Sequence, residues 1–216
     1  MRKMLILAAL CVAMVAQGKT LIAFYSYTGD SRAIVTELQN HISADVVEVE
    51  PAEKGLQYKA NNYALGTQLL NAIKANPNNA SSYPAIDPVT ATLTDYDLVI
   101  IVTPLWWSQM AAITQSFLFN YGSAFNGTNV ALVVSSYSSG ISGVVADFNR
   151  LLPNANRLDN PLWINNSNRS NKASLIAEWV SNLPAQTTAL NDIHTTNVDA
   201  PAYTISGQQH RKDTKV

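Results

Sequence analysis

Thiols are all but missing from this sequence: Cys11 is the one cysteine in 216 residues. A lone cysteine excludes an internal disulfide and a cysteine-rich metal site, and because Cys11 falls in an N-terminal stretch expected to be removed, any redox chemistry has to be borrowed from a cofactor. Histidine is scarce as well. His41 falls near the end of a predicted helix, and His194 and His210 lie in a C-terminal stretch without helical periodicity. No imidazole is therefore expected in a loop where acid–base or metal chemistry would use one. Charged residues make up 13% of the chain and the formal net charge is −1. The short run His210-Arg211-Lys212 reads as a solvated tail and not as the basic face that nucleic acid requires, so no nucleic-acid partner is expected. Three phosphate and nucleophile motifs are absent too: Gly-x-x-x-x-Gly-Lys-(Ser/Thr), Gly-x-Gly-x-x-Gly and Gly-x-Ser-x-Gly. Their absence argues against a Mg-nucleotide cradle, a dinucleotide fingerprint and the nucleophile elbow of an α/β hydrolase.

The N-terminus differs in character from the rest. Arg2 and Lys3 precede an apolar stretch from Met4 to Ala16, followed by Ala16-Gln17-Gly18, the small-x-small pattern of a secretory cleavage site. Residues 1–18 read as a signal peptide, too short to remain as a spanning helix. We therefore expect export, to the periplasm or beyond, with no stable membrane anchor. Leu10 stands before Cys11 where a lipoprotein signal needs a small residue. The alternative is an uncleaved apolar N-terminus packed on the domain. Cleavage after Gly18 removes two positive charges, no acid and the only cysteine, which leaves a net charge of −3.

From Lys19 to Pro184 strand-like and helix-like segments alternate, the pattern of a parallel sheet covered on both faces. Leu21–Tyr25, Ala44–Val49, Tyr96–Val102, Asn129–Ser135 and Pro161–Ile164 read as strands; Arg32–Ile42, Gln57–Ala75, Met110–Tyr121, Gly143–Leu152 and Lys172–Leu183 read as helices. Five strands so arranged fit an α/β doubly wound sheet of order 2-1-3-4-5, with a ligand beyond the carboxyl ends of strands 1 and 3. Residues 185–216 read as an extended tail in which 203–208 are a candidate strand.

The loops at those carboxyl ends have unusual compositions. After strand 1 comes Ser26-Tyr27-Thr28-Gly29-Asp30-Ser31, three hydroxyl side chains around one glycine at a helix N-terminus, where unpaired N–H groups and the helix dipole favour an anion. A plain N-cap accounts for one of the hydroxyls. After strand 3 comes Pro104-Leu105-Trp106-Trp107, an apolar wall for a flat aromatic ligand or, alternatively, core cover for a helix. After strand 4 comes Ser136-Tyr137-Ser138-Ser139-Gly140, small residues whose N–H groups can approach a ring edge, or a flexible connection.

The three loops together resemble those of the flavodoxin-like superfamily, most closely its flavodoxin-type proteins with a Pro-x-Trp-Trp loop and a Ser/Gly loop ending in Ser-Gly-Ile. The resemblance covers about residues 19–184. It implies non-covalently bound FMN, its phosphate held by Ser26 to Ser31, its isoalloxazine walled by Pro104 to Trp107 and its pyrimidine edge met by Ser136 to Gly140. Asp30 stands where the family commonly has Asn or Thr, and a carboxylate there repels a phosphate unless it turns away to cap the helix. Tyr137 and Ser138 stand where relatives often have Gly-Gly. The expected function is electron transfer to a redox partner protein, or FMN-dependent oxidoreduction of a small quinone-like acceptor. The near-neutral charge leans toward the second, since carriers of this type are strongly acidic. The competing expectation is a binding module of the same fold without redox activity.

Overall fold

The computed structural model describes residues 18–184. The expected signal peptide, apart from Gly18, and the expected tail with its candidate strand at 203–208 lie outside the described residues. A parallel sheet runs through the centre in the order β2-β1-β3-β5-β6. Its strands are β1 (Thr20–Phe24), β2 (Asp45–Glu48), β3 (Leu98–Trp106), β5 (Asn129–Ser135) and β6 (Asn156–Arg157), and β7 (Leu162–Ile164) also pairs with β5. The expected order is present, with the fifth position shared by two short strands. The first, Asn156-Arg157, has no apolar pattern that would show it in the sequence; it is made by the Asn156 N–H donating to the Thr128 carbonyl at 2.9 Å.

In-register pairing of Ile22 with Val46 and Ile100, and of Ile100 with Ala131, makes every second residue face the same way. One face carries Leu21, Ala23, Val99, Ile101, Leu132 and Val134 against α3 (Ala112–Tyr121) and α4 (Ser142–Leu151). The other carries Ile22, Phe24, Ile100, Val102, Ala131 and Val133 against α1 (Asp30–Leu38) and α5 (Lys172–Ser181). Burial on both faces is why the strands read as unbroken apolar runs. α2 (Ala60–Ala75) packs Leu70 and Ile73 on Tyr83 and Ala112.

Three boundaries depart from expectation, each for a local reason. α1 begins at Asp30 and not at Arg32, because Gly29 at φ 93° turns the chain straight into the helix. The regular part of α2 starts after three left-handed residues, Asn61, Asn62 and Tyr63, with φ from 49° to 61°. What reads as a loop after strand 3 is a β-hairpin: β3 continues through Trp106 and pairs back on β4 (Gln109–Met110), Leu105 opposite Met110. Trp107 and Ser108, at φ 46° and 63°, form a two-residue turn with both central residues left-handed, whose twist suits a hairpin. It lacks the Asn-Gly or Asp-Gly signal by which such a turn is read.

Candidate functional site

The three loops meet at the carboxyl ends of β1, β3 and β5, where they enclose a cavity of about 620 Å³, within the ~300–1,000 Å³ typical of small-molecule sites. At its first corner the Arg32 N–H donates to Ser26 Oγ at 3.3 Å and the Ala33 N–H to the Gly29 carbonyl at 2.9 Å. The N–H groups of Tyr27 through Ser31 have no acceptor among the described residues. Five free donors stand at the start of a helix around a glycine whose Cβ position is open, three of them on the cavity-lining residues Tyr27, Thr28 and Asp30, an arrangement that suits an anion.

Thr28 and Asp30 line this corner, and Thr28 Oγ1 donates to Asp30 Oδ2 at 2.9 Å. Arg169, from the turn after β7, also lines it, with Nη1 3.9 Å from Asp30 Oδ1. Two of the expected hydroxyls point elsewhere. Ser31 is buried against Ser135, Oγ to Oγ 2.9 Å, and Ser26 serves as a cap for the Arg32 N–H.

The aromatic wall comes from the hairpin. Trp106 is half-buried and Trp107 is 46% exposed, and both line the cavity with Pro104 and Leu105. Their rings sit edge to face with centroids 6.4 Å apart. Trp106 packs on Tyr25 at 5.8 Å and on Tyr58 at 4.9 Å, and Trp107 on Tyr63 at 5.8 Å. Gly66 of α2 lies beneath Trp107, so close that a Cβ would be 2.9 Å from the indole. The tryptophans are thus wall and packing at once.

At the third loop, Ser136, Tyr137 and Ser139 line the cavity, whereas Ser138 and Gly140 are exposed outside it. The Ser136 N–H is held by the Ile164 carbonyl at 3.0 Å, and its hydroxyl accepts from Trp163 Nε1 at 2.8 Å. The N–H groups of Tyr137 to Gly140 have no acceptor among the described residues. Tyr137, 72% exposed, stands at the mouth.

Sequence reasoning missed Tyr58, Lys59, Tyr63, Gly66, Ser135 and Arg169 as lining residues. Tyr58, Lys59 and Arg169 belong to the segments after β2 and β7, which the carboxyl-end rule already marks as candidate ground, while Tyr63 and Gly66 lie in α2 and Ser135 ends β5. The run Asn165-Asn166-Ser167-Asn168 was the available signal for Arg169. Asn165 Oδ1 accepts from the Ser167 N–H, and Asn168 Oδ1 from the Asn165 N–H, each at 2.8 Å, so the turn is built by side chains in a way typical of Asx turns.

His41, the histidine of the described residues, pairs with Glu37 on α1 at 3.1 Å and does not line the cavity. Among the described residues no cluster of acids, histidines and cysteines suits a metal, and no helix is long and apolar enough to cross a membrane. The titratable groups that stand out are phenols. Tyr25 and Tyr58 have buried hydroxyls without a hydrogen-bond partner, and burial raises both above the usual tyrosine value, Tyr25 strongly. The folded state therefore holds these protons more tightly than the unfolded chain, whose phenols ionise near pH 10. Stability should be constant on their account below pH ~10 and fall as the pH climbs beyond it, and Tyr25→Phe should flatten that alkaline fall in urea midpoints compared at pH 8 and pH 11.

A family model for flavodoxin matches residues 19–183. A flavoprotein candidate from Bacteroides eggerthii is similar in fold, with a TM-score of 0.62 and 22% identity over 76% of this chain and 96% of its own. A flavoprotein from Lactobacillus acidophilus, solved in complex with FMN, has a TM-score of 0.57 and 22% identity over 73% of this chain and 99% of its own. No match is found among curated proteins. With the model spanning nearly every described residue, on a sheet of this order and a cavity at its switch point, the chain belongs to the flavodoxin family.

Proposed function

We propose that the protein is an exported flavoprotein that holds FMN in the cavity between the three loops and exchanges electrons with a partner protein or a small quinone-like acceptor. The observation that carries this is the convergence, on one cavity, of free N–H donors at the α1 N-terminus and a half-exposed tryptophan pair. The residues present fit the group. An anion corner suits its phosphate, an aromatic wall its ring, and the free N–H groups of Tyr137 and Ser139, the third-loop residues on the lining, its polar edge. The L. acidophilus protein, similar in fold, was solved with FMN.

In this reading the N–H groups of Tyr27 to Ser31, the Thr28 hydroxyl and Arg169 hold the phosphate. Trp106, Trp107 and Tyr58 flank the ring and keep water from it, and the third loop orients its edge. Bound FMN supplies transfer of one electron or of a hydride. The protein residues bind and orient, and no imidazole of the described residues is at hand for proton transfer. Export rests on the residues before Lys19. Its N–H donates to Asp97 Oδ2 at 2.8 Å, so cleavage after Gly18 would place the new α-ammonium beside that carboxylate, a favourable pairing. The intact mass of protein recovered from the exported fraction tests the site of cleavage.

The test of the cofactor is absorbance. Purified protein should carry, or take up from solution, one equivalent of flavin that dithionite bleaches; protein that stays colourless with added FMN would favour the binding-module reading. Thr28→Ala should weaken FMN about tenfold and riboflavin little, because one charge-assisted hydrogen bond to phosphate is at stake. Equal losses for both ligands would remove the corner from the site.

A further inference from the structure

The anion corner already contains an anion of the protein's own. Asp30 is exposed at the first position of α1, so nothing in the packing forces its carboxylate into the cavity. It nevertheless lines the cavity, with one oxygen accepting from Thr28 Oγ1 at 2.9 Å and the other 3.9 Å from Arg169 Nη1. Those two groups are the side-chain donors of the corner. Arg32 is engaged elsewhere, its guanidinium paired with Glu48, and Lys59 is the other cation on the lining. A ligand anion that enters must compete with a covalently tethered carboxylate for the helix dipole, the hydroxyl and the guanidinium.

We propose that Asp30 is an internal stand-in for the ligand's phosphate, which must be displaced from Thr28 and Arg169 when a phosphorylated flavin binds. It thereby sets how strongly this protein prefers FMN over the phosphate-free riboflavin. The inference rests on the FMN reading above. Its physical content is a swap of partners. Arg169 passes from Asp30 to the phosphate, and the carboxylate, now near a dianion, has to swing toward solvent, to which it is already open. Both the lost pairing and the residual like-charge repulsion count against FMN, and neither touches a ligand without phosphate.

The experiment is a fluorescence titration of flavin-free protein with FMN and with riboflavin, for the wild type, Asp30→Asn, Asp30→Ser and Asp30→Asn combined with Arg169→Gln. Removing the charge should tighten FMN about tenfold while moving riboflavin less than about twofold, so that the ratio of the two affinities rises about tenfold. Adding Arg169→Gln should then take most of that gain away from FMN alone. Unfolding midpoints of the flavin-free proteins supply an independent sign. Asp30 favours the α1 N-terminus, so its neutral variants should be slightly less stable yet bind FMN better, a pairing that a purely structural residue would not produce. If both Asp30 variants bind the two flavins in the wild-type ratio, or lose FMN, the stand-in is overturned while the FMN site survives. If no variant and not the wild type binds either flavin, both readings fall.

Discussion

Gly143→Ala is expected to cost about 2–4 kcal/mol of stability and to weaken flavin binding at least about tenfold. Gly143 lies in the first turn of α4, and a Cβ built on it would stand 2.1 Å from the Ser108 carbonyl oxygen and 3.9 Å from the Gln109 Cα. This is backbone against backbone, so no side-chain rotation can relieve it. The need is for room and not for an unusual dihedral, since Gly143 is not among the glycines with positive φ. Either α4 retreats, pulling the buried Val144 and Phe148 off the sheet, or the Trp107–Ser108 turn is pushed outward and the wall goes with it. Urea denaturation and FMN titration of the same preparation measure the two consequences. A variant with wild-type stability and wild-type affinity would show that the turn and α4 are not in contact.

The second large effect is expected at Asp147, whose carboxylate fastens the other end of the hairpin. Asp147 Oδ2 accepts from the Met110 N–H at 3.1 Å and Oδ1 from Arg150 Nη2 at 3.0 Å. The same guanidinium reaches Gln115 Oε1 at 2.7 Å and the Tyr83 hydroxyl at 3.0 Å, while Gln115 Nε2 donates to the Met110 carbonyl at 2.8 Å. Both main-chain groups of the buried Met110 are thus satisfied by side chains tied together through Arg150. Asp147→Leu leaves the Met110 N–H without an acceptor and a half-buried cation without its partner, a change worth about 2–4 kcal/mol. Asp147→Asn keeps an oxygen for the N–H and forgoes only the charge, so about half of the loss should return. Tryptophan fluorescence should report the same order, with the leucine variant shifted most, because the loosened strand β4 pairs with Trp106 of β3 and is joined to it through Trp107. Equal behaviour of the two variants would show that the N–H contact is unimportant.

Which features of this arrangement could be read in advance follows from how local their causes are. The sheet order was legible because buried parallel strands are long apolar runs, and Val99 to Val102 and Val130 to Val134 are unambiguous. The strand-to-helix turn on the cavity was legible because its parts, from Ser26 to Ser31, are contiguous. The hairpin was not, since Trp107 and Ser108 adopt left-handed angles that their residue types disfavour, under contacts from Gly143 and Gly66 that are distant in the chain. Ser31 illustrates the same limit. Its spacing predicts a ligand contact, but its hydroxyl turns to Ser135, 104 residues away. Arg169 escaped because a charged residue in a polar turn carries no periodicity, and its place beside Asp30 exists only once β7 has joined β5.

The margin of the sheet beyond β5 is divided between β6, of two residues, and β7, of three. A row of unpaired peptide groups so brief and interrupted offers a stray chain almost nothing to zip onto, which protects against edge-to-edge aggregation. The break between the two segments also frees the chain to rise toward the cavity end of the molecule, so one irregularity both guards the flank and delivers Arg169 to the cavity lining.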